Sequence, residues 1–121
     1  MELKNYFETT TGTGVLSTAD STGRVDAAIY SPPHFIDGKL AFIMRDRLSR
    51  KNFESNPQAV YLFIENGTGY KGKRLYLTRT DEEKNTERIH SLKRREKETS
   101  PGEDLFLVFF EVNHERPLVG R

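Results

Sequence analysis

Six short runs rich in β-branched and aromatic residues, each ended by Gly, Pro or an Asp-containing turn, commit this chain to a β-rich fold. They are "GTGVLSTA" (Gly12 to Ala19), "RVDAAIY" (Arg24 to Tyr30), "KLAFIM" (Lys39 to Met44), "QAVYLFIE" (Gln58 to Glu65), "KRLYLTRT" (Lys73 to Thr80) and "EDLFLVFFEV" (Glu103 to Val112). Runs of this length with turn signals between them read as strands. "DSTG" (Asp20 to Gly23) joins the first two as a hairpin, and "IDG" (Ile36 to Gly38) is a second turn. Pro32 and Pro33 stop the second strand, because neither can donate to a ladder. "ELKNYFETT" predicts a short leading helix with Leu3, Tyr6 and Phe7 on one side. "DEEKNTERIHSLKRREKE" (Asp81 to Glu98) predicts a surface helix capped by Asp81, with a thin apolar face of Ile89 and Leu92. The expected architecture is mainly β: six strands in a closed antiparallel barrel with small helices. "VYLFI" and "LFLVFF" are apolar at every position and call for cover on both faces, which a homodimer packed through the barrel exterior would supply.

The chain has 121 residues, the size of one domain, so 1–121 is read as a single unit. Its 19 basic and 18 acidic residues leave a net charge of +1, which argues against general nucleic-acid binding. With no cysteine, disulfide and thiolate chemistry are excluded. "MELKNYFETT" lacks the apolar core of a signal peptide, and no stretch has the length of a membrane span. The expectation is a cytoplasmic protein bound to no membrane, in which the sequon Asn66-Gly67-Thr68 is only a turn.

"GTGYKG" (Gly67 to Gly72) matches G-x-G-x-x-G, but a dinucleotide fold needs a helix after it. Here a strand follows, so the glycines are assigned to a hairpin loop with positive φ angles. His34, His90 and His114 have no metal-ligand spacing and are read as surface or packing residues. "KRRE" (Lys93 to Glu96) is read as the cationic end of a helix rather than a nucleic-acid patch.

One stretch carries chemistry. "MRDRLSRKNFESNP" (Met44 to Pro57) places Arg45, Arg47, Arg50 and Lys51 within seven residues, opposed by Asp46. Such a run is often just a solvated face. Here it lies between two strands, where Ser49 or Asp46 would cap a short helix ended by Asn56-Pro57. Cations at a helix start oppose its dipole unless an anion sits there, and forked guanidinium donors match phosphate oxygens. Three or four such bonds supply at most about 10 kcal/mol before binding entropy. Nanomolar binding needs about 12 kcal/mol, so a flat apolar group must be buried as well.

This succession resembles the pyridoxamine 5'-phosphate oxidase-like family of FMN-binding split barrels. The resemblance spans the leading helix, the opening hairpin, "DGKLAFIMRDRLSRKNFESNPQAVYLF" and "KGKRLYLT". It implies a homodimer with FMN at the subunit interface. The phosphate is carried to Arg47, Ser49, Arg50, Lys51 and Asn52, and the flavin ring to Ala28, Ile29, Tyr30, Ile43, Met44 and Arg45. Arg45 or Lys71 would face the ring's pyrimidine edge. The chain is shorter than the oxidase and ends "EVNHERPLVGR". A flavin-dependent oxidoreductase of a different substrate is therefore implied, with no catalytic residue evident and no metal. A flavin carrier with no substrate, or a split barrel holding haem or a deazaflavin, remains open.

Overall fold

The structure is a computed structural model and describes residues 2–92 and 103–120. In chain order the elements are α1 (Glu2–Thr9), β1 (Gly12–Ala19), β2 (Val25–Ile29), β3 (His34–Ile36), β4 (Lys39–Arg45), α2 (Leu48–Asn52), β5 (Gln58–Glu65), β6 (Gly72–Lys84), α3 (Glu87–Leu92) and β7 (Leu105–Pro117). The strands form one antiparallel sheet of seven, in the order β2-β1-β5-β6-β7-β4-β3. The chain is mainly β, as expected, with one strand more than the six read from the sequence. The addition is β3, three residues directly after Pro33, which pairs with β4 across a tight turn at Asp37 (φ 54°) and Gly38 (φ 79°). "DG" marked that turn, but the two prolines hid the short arm before it.

The sheet rolls up on itself. Phe42 of β4 and Tyr61 of β5 have ring centroids 5.0 Å apart, although β6 and β7 lie between their strands in the ladder order. At the sheet's ends, Tyr30 reaches Phe42 at 5.7 Å. No ladder among the described residues joins β2 to β3 or β4, so the barrel is split there. Its interior holds Leu16, Leu40, Phe42, Met44, Tyr61, Phe63, Leu75, Leu77, Phe106, Val108 and Phe110, all buried. Phe7 of α1 closes one end of the core through ring contacts with Phe63 and Phe35. Phe53, just after α2, enters it against Phe110.

"LFLVFF" is buried at all six positions, Leu105 to Phe110, and both faces are covered. Phe106, Val108 and Phe110 point into the barrel, while Leu105, Leu107 and Phe109 pack outside against Ala41 and Ile89. The outer cover is therefore α3, a part of the same chain. "VYLFI" behaves differently: Tyr61 and Phe63 are fully buried, but Val60 and Leu62 are half-buried and Ile64 is exposed.

The predicted helix at Asp81 is corrected. β6 continues to Lys84, and Asp81, Glu82, Glu83 and Lys84 pair with Phe109, Val108, Leu107 and Phe106. A long apolar β7 needs a ladder partner, and that demand overrides local helical composition. Two register shifts, at Tyr76/Leu77 and Arg79/Asp81, mark where this long strand departs from regular pairing. Helix begins only at Glu87, and residues 93–98 of the predicted helix, with the "KRRE" stretch, lie outside the described residues. Of the "GTGYKG" glycines, Gly67 and Gly69 lie in the hairpin loop with positive φ, while Gly72 opens β6 opposite Ile64.

Gly14 fixes the edge of the split. A Cβ there would stand 1.9 Å from the Tyr61 hydroxyl. That hydroxyl donates to the Tyr30 carbonyl at 3.0 Å, and the Tyr30 N–H donates to the Gly14 carbonyl at 2.9 Å. Burial pushes the Tyr61 hydroxyl well above its ordinary titration range, so it stays a donor. Gly14→Ala is expected to displace Tyr61 and cost about 2–3 kcal/mol from overpacking and the lost hydrogen bond, measured by urea unfolding. An unchanged midpoint would mean that this knot is slack.

Candidate functional site

The split opens into a cleft of about 460 Å³, within the ~300–1,000 Å³ common for small-molecule sites. Asp26, Ala28, Ile29 and Tyr30 form the β2 wall, continued by Ser31 and Pro32. Phe42, Ile43 and Arg45 from β4, with Arg47, Leu48 and Ser49, form the opposite wall, and His34 and Leu105 also contribute. The cleft has a polarity along β4. His34 pairs with Ala41, four residues before Arg45, which puts it about 13 Å away along the strand at ~3.3 Å per residue. Charged groups gather at the Arg45 end, and Ala28, Ile29, Phe42 and Ile43 supply an apolar stretch.

At the charged end two guanidiniums converge on one carboxylate. Arg45 Nε donates to Glu103 Oε1 at 3.2 Å, and Arg47 Nη2 donates to Glu103 Oε2 at 3.1 Å. The Ser49 hydroxyl donates to Asp26 Oδ2 at 3.1 Å. Burial raises the Tyr30 hydroxyl above its ordinary value, partly offset by hydrogen bonding with Ser49, so it also remains protonated at neutral pH. Two fork-shaped cations, Arg45 and Arg47, share one carboxylate, and with the Ser49 and Tyr30 side chains they line the same end of the cleft, a donor set suited to an oxyanion.

Of the residues expected at the cofactor, Ala28, Ile29, Tyr30, Ile43, Arg45, Arg47 and Ser49 line this cleft. Met44, Arg50, Lys51 and Asn52 do not. Met44 lies in the core, 1% exposed. Asn52 is buried with its amide donating to the Thr18 hydroxyl at 2.9 Å, which ties α2 to β1. Lys51 is exposed on α2, and Lys71 is exposed in the β5–β6 loop. Arg50 is largely buried, its side chain 12% exposed, and engaged elsewhere. It meets Asp46 at 3.3 Å, Glu54 at 2.6 Å and Glu82 of β6 at 2.6 Å, and its guanidinium lies 4.0 Å from the Phe106 ring centroid. The hydrogen bond that Arg50 donates to Glu82 leads the effects that hold it firmly charged.

Neither predicted cap serves α2. The N-cap is Arg47, with no side-chain cap bond, and Ser49 sits inside the five-residue helix. One turn of helix has little dipole to offer an anion, so the seat depends on side chains.

Sequence reasoning offered Phe42, in "FIM", as cover for a flat group, but did not place Asp26, Ser31, Pro32, His34, Leu48 or Leu105 at the cleft. Strand alternation could have found Asp26, which shares a face with Ala28. Glu103 stands 58 residues from Arg45, and no local signal joins them. Among the described residues no group of three His, Cys, Asp or Glu could hold a metal, and no helix is long and apolar enough to cross a membrane.

No family model matches the sequence, and no curated protein matches it. Solved structures do. An FMN-binding protein from Syntrophomonas wolfei subsp. wolfei is 18% identical, with 99% of this chain and 88% of that one aligned at a TM-score of 0.68. An F420 reductase is 15% identical, over 87% and 89% of the two chains, with a TM-score of 0.68. The haem storage protein HutZ from Vibrio cholerae is 19% identical, over 96% and 92%, with a TM-score of 0.64. With a Listeria innocua protein assigned as a pyridoxamine 5'-phosphate oxidase also alike, this chain has the pyridoxamine 5'-phosphate oxidase-like split-barrel fold.

The separation of cations has a measurable consequence. Arg50→Ala would leave the partly buried Glu82, among the described residues, with only the longer Arg79 contact at 3.9 Å and release α2 from β6. We expect a loss of about 2–3 kcal/mol, below the full cost for a completely buried pair because solvent reaches Glu82. Thermal unfolding checks it; a variant as stable as the parent would show that the cluster is decoration.

Proposed function

We propose that this protein binds FMN in the split and serves as a flavin-dependent oxidoreductase acting on a substrate other than pyridoxamine phosphate. The observation that carries the reading is the pairing of an oxyanion seat at Arg45 and Arg47 with an apolar stretch beside it in one cleft. The neighbours share the fold at low identity, and the ligands they are named for differ, so they support a cofactor-binding barrel without choosing the cofactor.

The residues fit the group. Arg45, Arg47, Ser49 and Tyr30 would hold the phosphate, and Ala28, Ile29 and Ile43 would cover the ring and exclude water. FMN, when bound, supplies hydride and single-electron chemistry at its ring. The chain orients the cofactor through its tail and desolvates it, which strengthens every charge interaction in the cleft. His34, at the end remote from the arginines, is placed to exchange a proton with a reacting molecule. A deazaflavin is the second reading, favoured by the two carboxylates at the charged end: a phosphodiester tail carries less charge than a phosphomonoester.

The proposal includes a homodimer. Ile29, Val15 and Leu62 are cross-strand neighbours on the outer face, and Ile29 and Val25 are 70% and 77% exposed. Because Ile29 also lines the cleft, a second copy on this face would close the site. Sedimentation equilibrium should give twice the chain mass at micromolar concentration; a single-chain mass would remove this part of the proposal.

Flavin fluorescence titration tests the ligand. FMN should bind with micromolar or better affinity. Arg45→Gln with Arg47→Gln should weaken FMN by at least about 30-fold, since charged hydrogen bonds contribute ~1.5–3 kcal/mol each, while riboflavin affinity changes little. Absent FMN binding, or equal losses for both ligands, would contradict the assignment.

A further inference from the structure

We infer that Glu103 is the resident anion of the tail seat and that it sets how much negative charge a ligand's tail can bring. This rests on the reading that the cleft takes a cofactor with an anionic tail. The Glu103 carboxylate bridges Arg45 and Arg47 at 3.2 and 3.1 Å, and its side chain is only 17% exposed. It stands where a phosphate would stand. With Asp26 on Ser49 at 3.1 Å, the described residues set two carboxylates and two guanidiniums at the charged end.

A phosphomonoester brings nearly two negative charges at neutral pH. A phosphodiester or a carboxylate brings one. Like charges forced to share a seat repel strongly in a partly desolvated site, so a dianionic tail must dislodge a carboxylate of the chain. The two candidates are held differently. Asp26 accepts from the Ser49 hydroxyl, so a tail that takes the guanidinium donors need not move it. Glu103 precedes β7, whose ladder begins at Leu105, so its side chain can swing off the arginines at no cost in backbone hydrogen bonds. Glu103 is therefore the group that yields, and the work of displacing it is subtracted from the affinity for a dianion.

The test compares the whole protein with Glu103→Gln, which preserves shape and removes charge. FMN and riboflavin are titrated by fluorescence, and inorganic phosphate by its effect on Tm. Glu103→Gln should bind FMN about tenfold more tightly and riboflavin within twofold of the parent. Phosphate should raise its Tm further than it raises the parent's. If the parent binds FMN and the variant binds it no tighter, the inference falls and the FMN reading stands. If neither binds FMN but phosphate still stabilises the variant more, the resident-anion role stands and the FMN reading falls. Indifference of both proteins to both ligands overturns both. Should Glu103→Gln fail to fold by circular dichroism, Glu103→Asp, with its carboxylate drawn back by one methylene, decides: intermediate tightening toward FMN supports the inference, and unchanged or weaker binding rejects it.

Discussion

The fold depends on one six-residue strip, Leu105 to Phe110, buried on both faces. Alternate side chains fill the barrel interior and the groove under α3. At ~1.5–3 kcal/mol per fully buried large apolar side chain, the strip contributes on the order of 10 kcal/mol before conformational entropy is subtracted. A strip this apolar cannot sit at a sheet edge, so it takes β4 on one side and a lengthened β6 on the other. With β7 central between them, β2 and β3 become the two ends of the sheet. Those ends approach without joining, and their separation is the cleft. The site is thus a consequence of where the most apolar strand must go.

The cations at the β4–β5 junction divide into two populations. Arg50 turns inward to Asp46, Glu54, Glu82 and the Phe106 ring, and clamps α2 to the sheet. Arg45 and Arg47 meet Glu103 at the cleft. A solvated face and an anion seat looked like alternatives at sequence level, yet the junction holds both a structural cluster and a candidate binding cluster. Ion pairs of the Arg50 kind, with partners that solvent reaches, contribute modestly to net stability. Their value here is to fix the helix that presents Arg47 and Ser49.

Strand runs and turn residues made most of the fold legible before any coordinates. The hairpins at Asp20–Gly23 and Asp37–Gly38, the leading helix and the loop glycines all follow from local chemistry. β3 was hidden by Pro32 and Pro33, and the far half of β6 by an acidic, helix-like composition that pairing with β7 overrode. At the candidate site, alternation and the basic run marked the walls from Ala28 to Tyr30 and from Ile43 to Ser49. Leu105 at the cleft and Glu103 on its arginines were invisible because tertiary folding alone brings them there. Arg50 and Asn52 share the basic run but face other elements, and sequence spacing in a one-turn helix cannot separate those directions.

The central claim is that the split between β2 and β4 receives a flat ligand with an anionic tail. Amide chemical-shift mapping of the labelled protein during FMN addition tests it most directly. The account predicts perturbations concentrated at residues 26–31 and 43–49 and at Leu105, saturating together. Shifts centred on α1 and β3, or spread thinly over the surface without saturation, would contradict it.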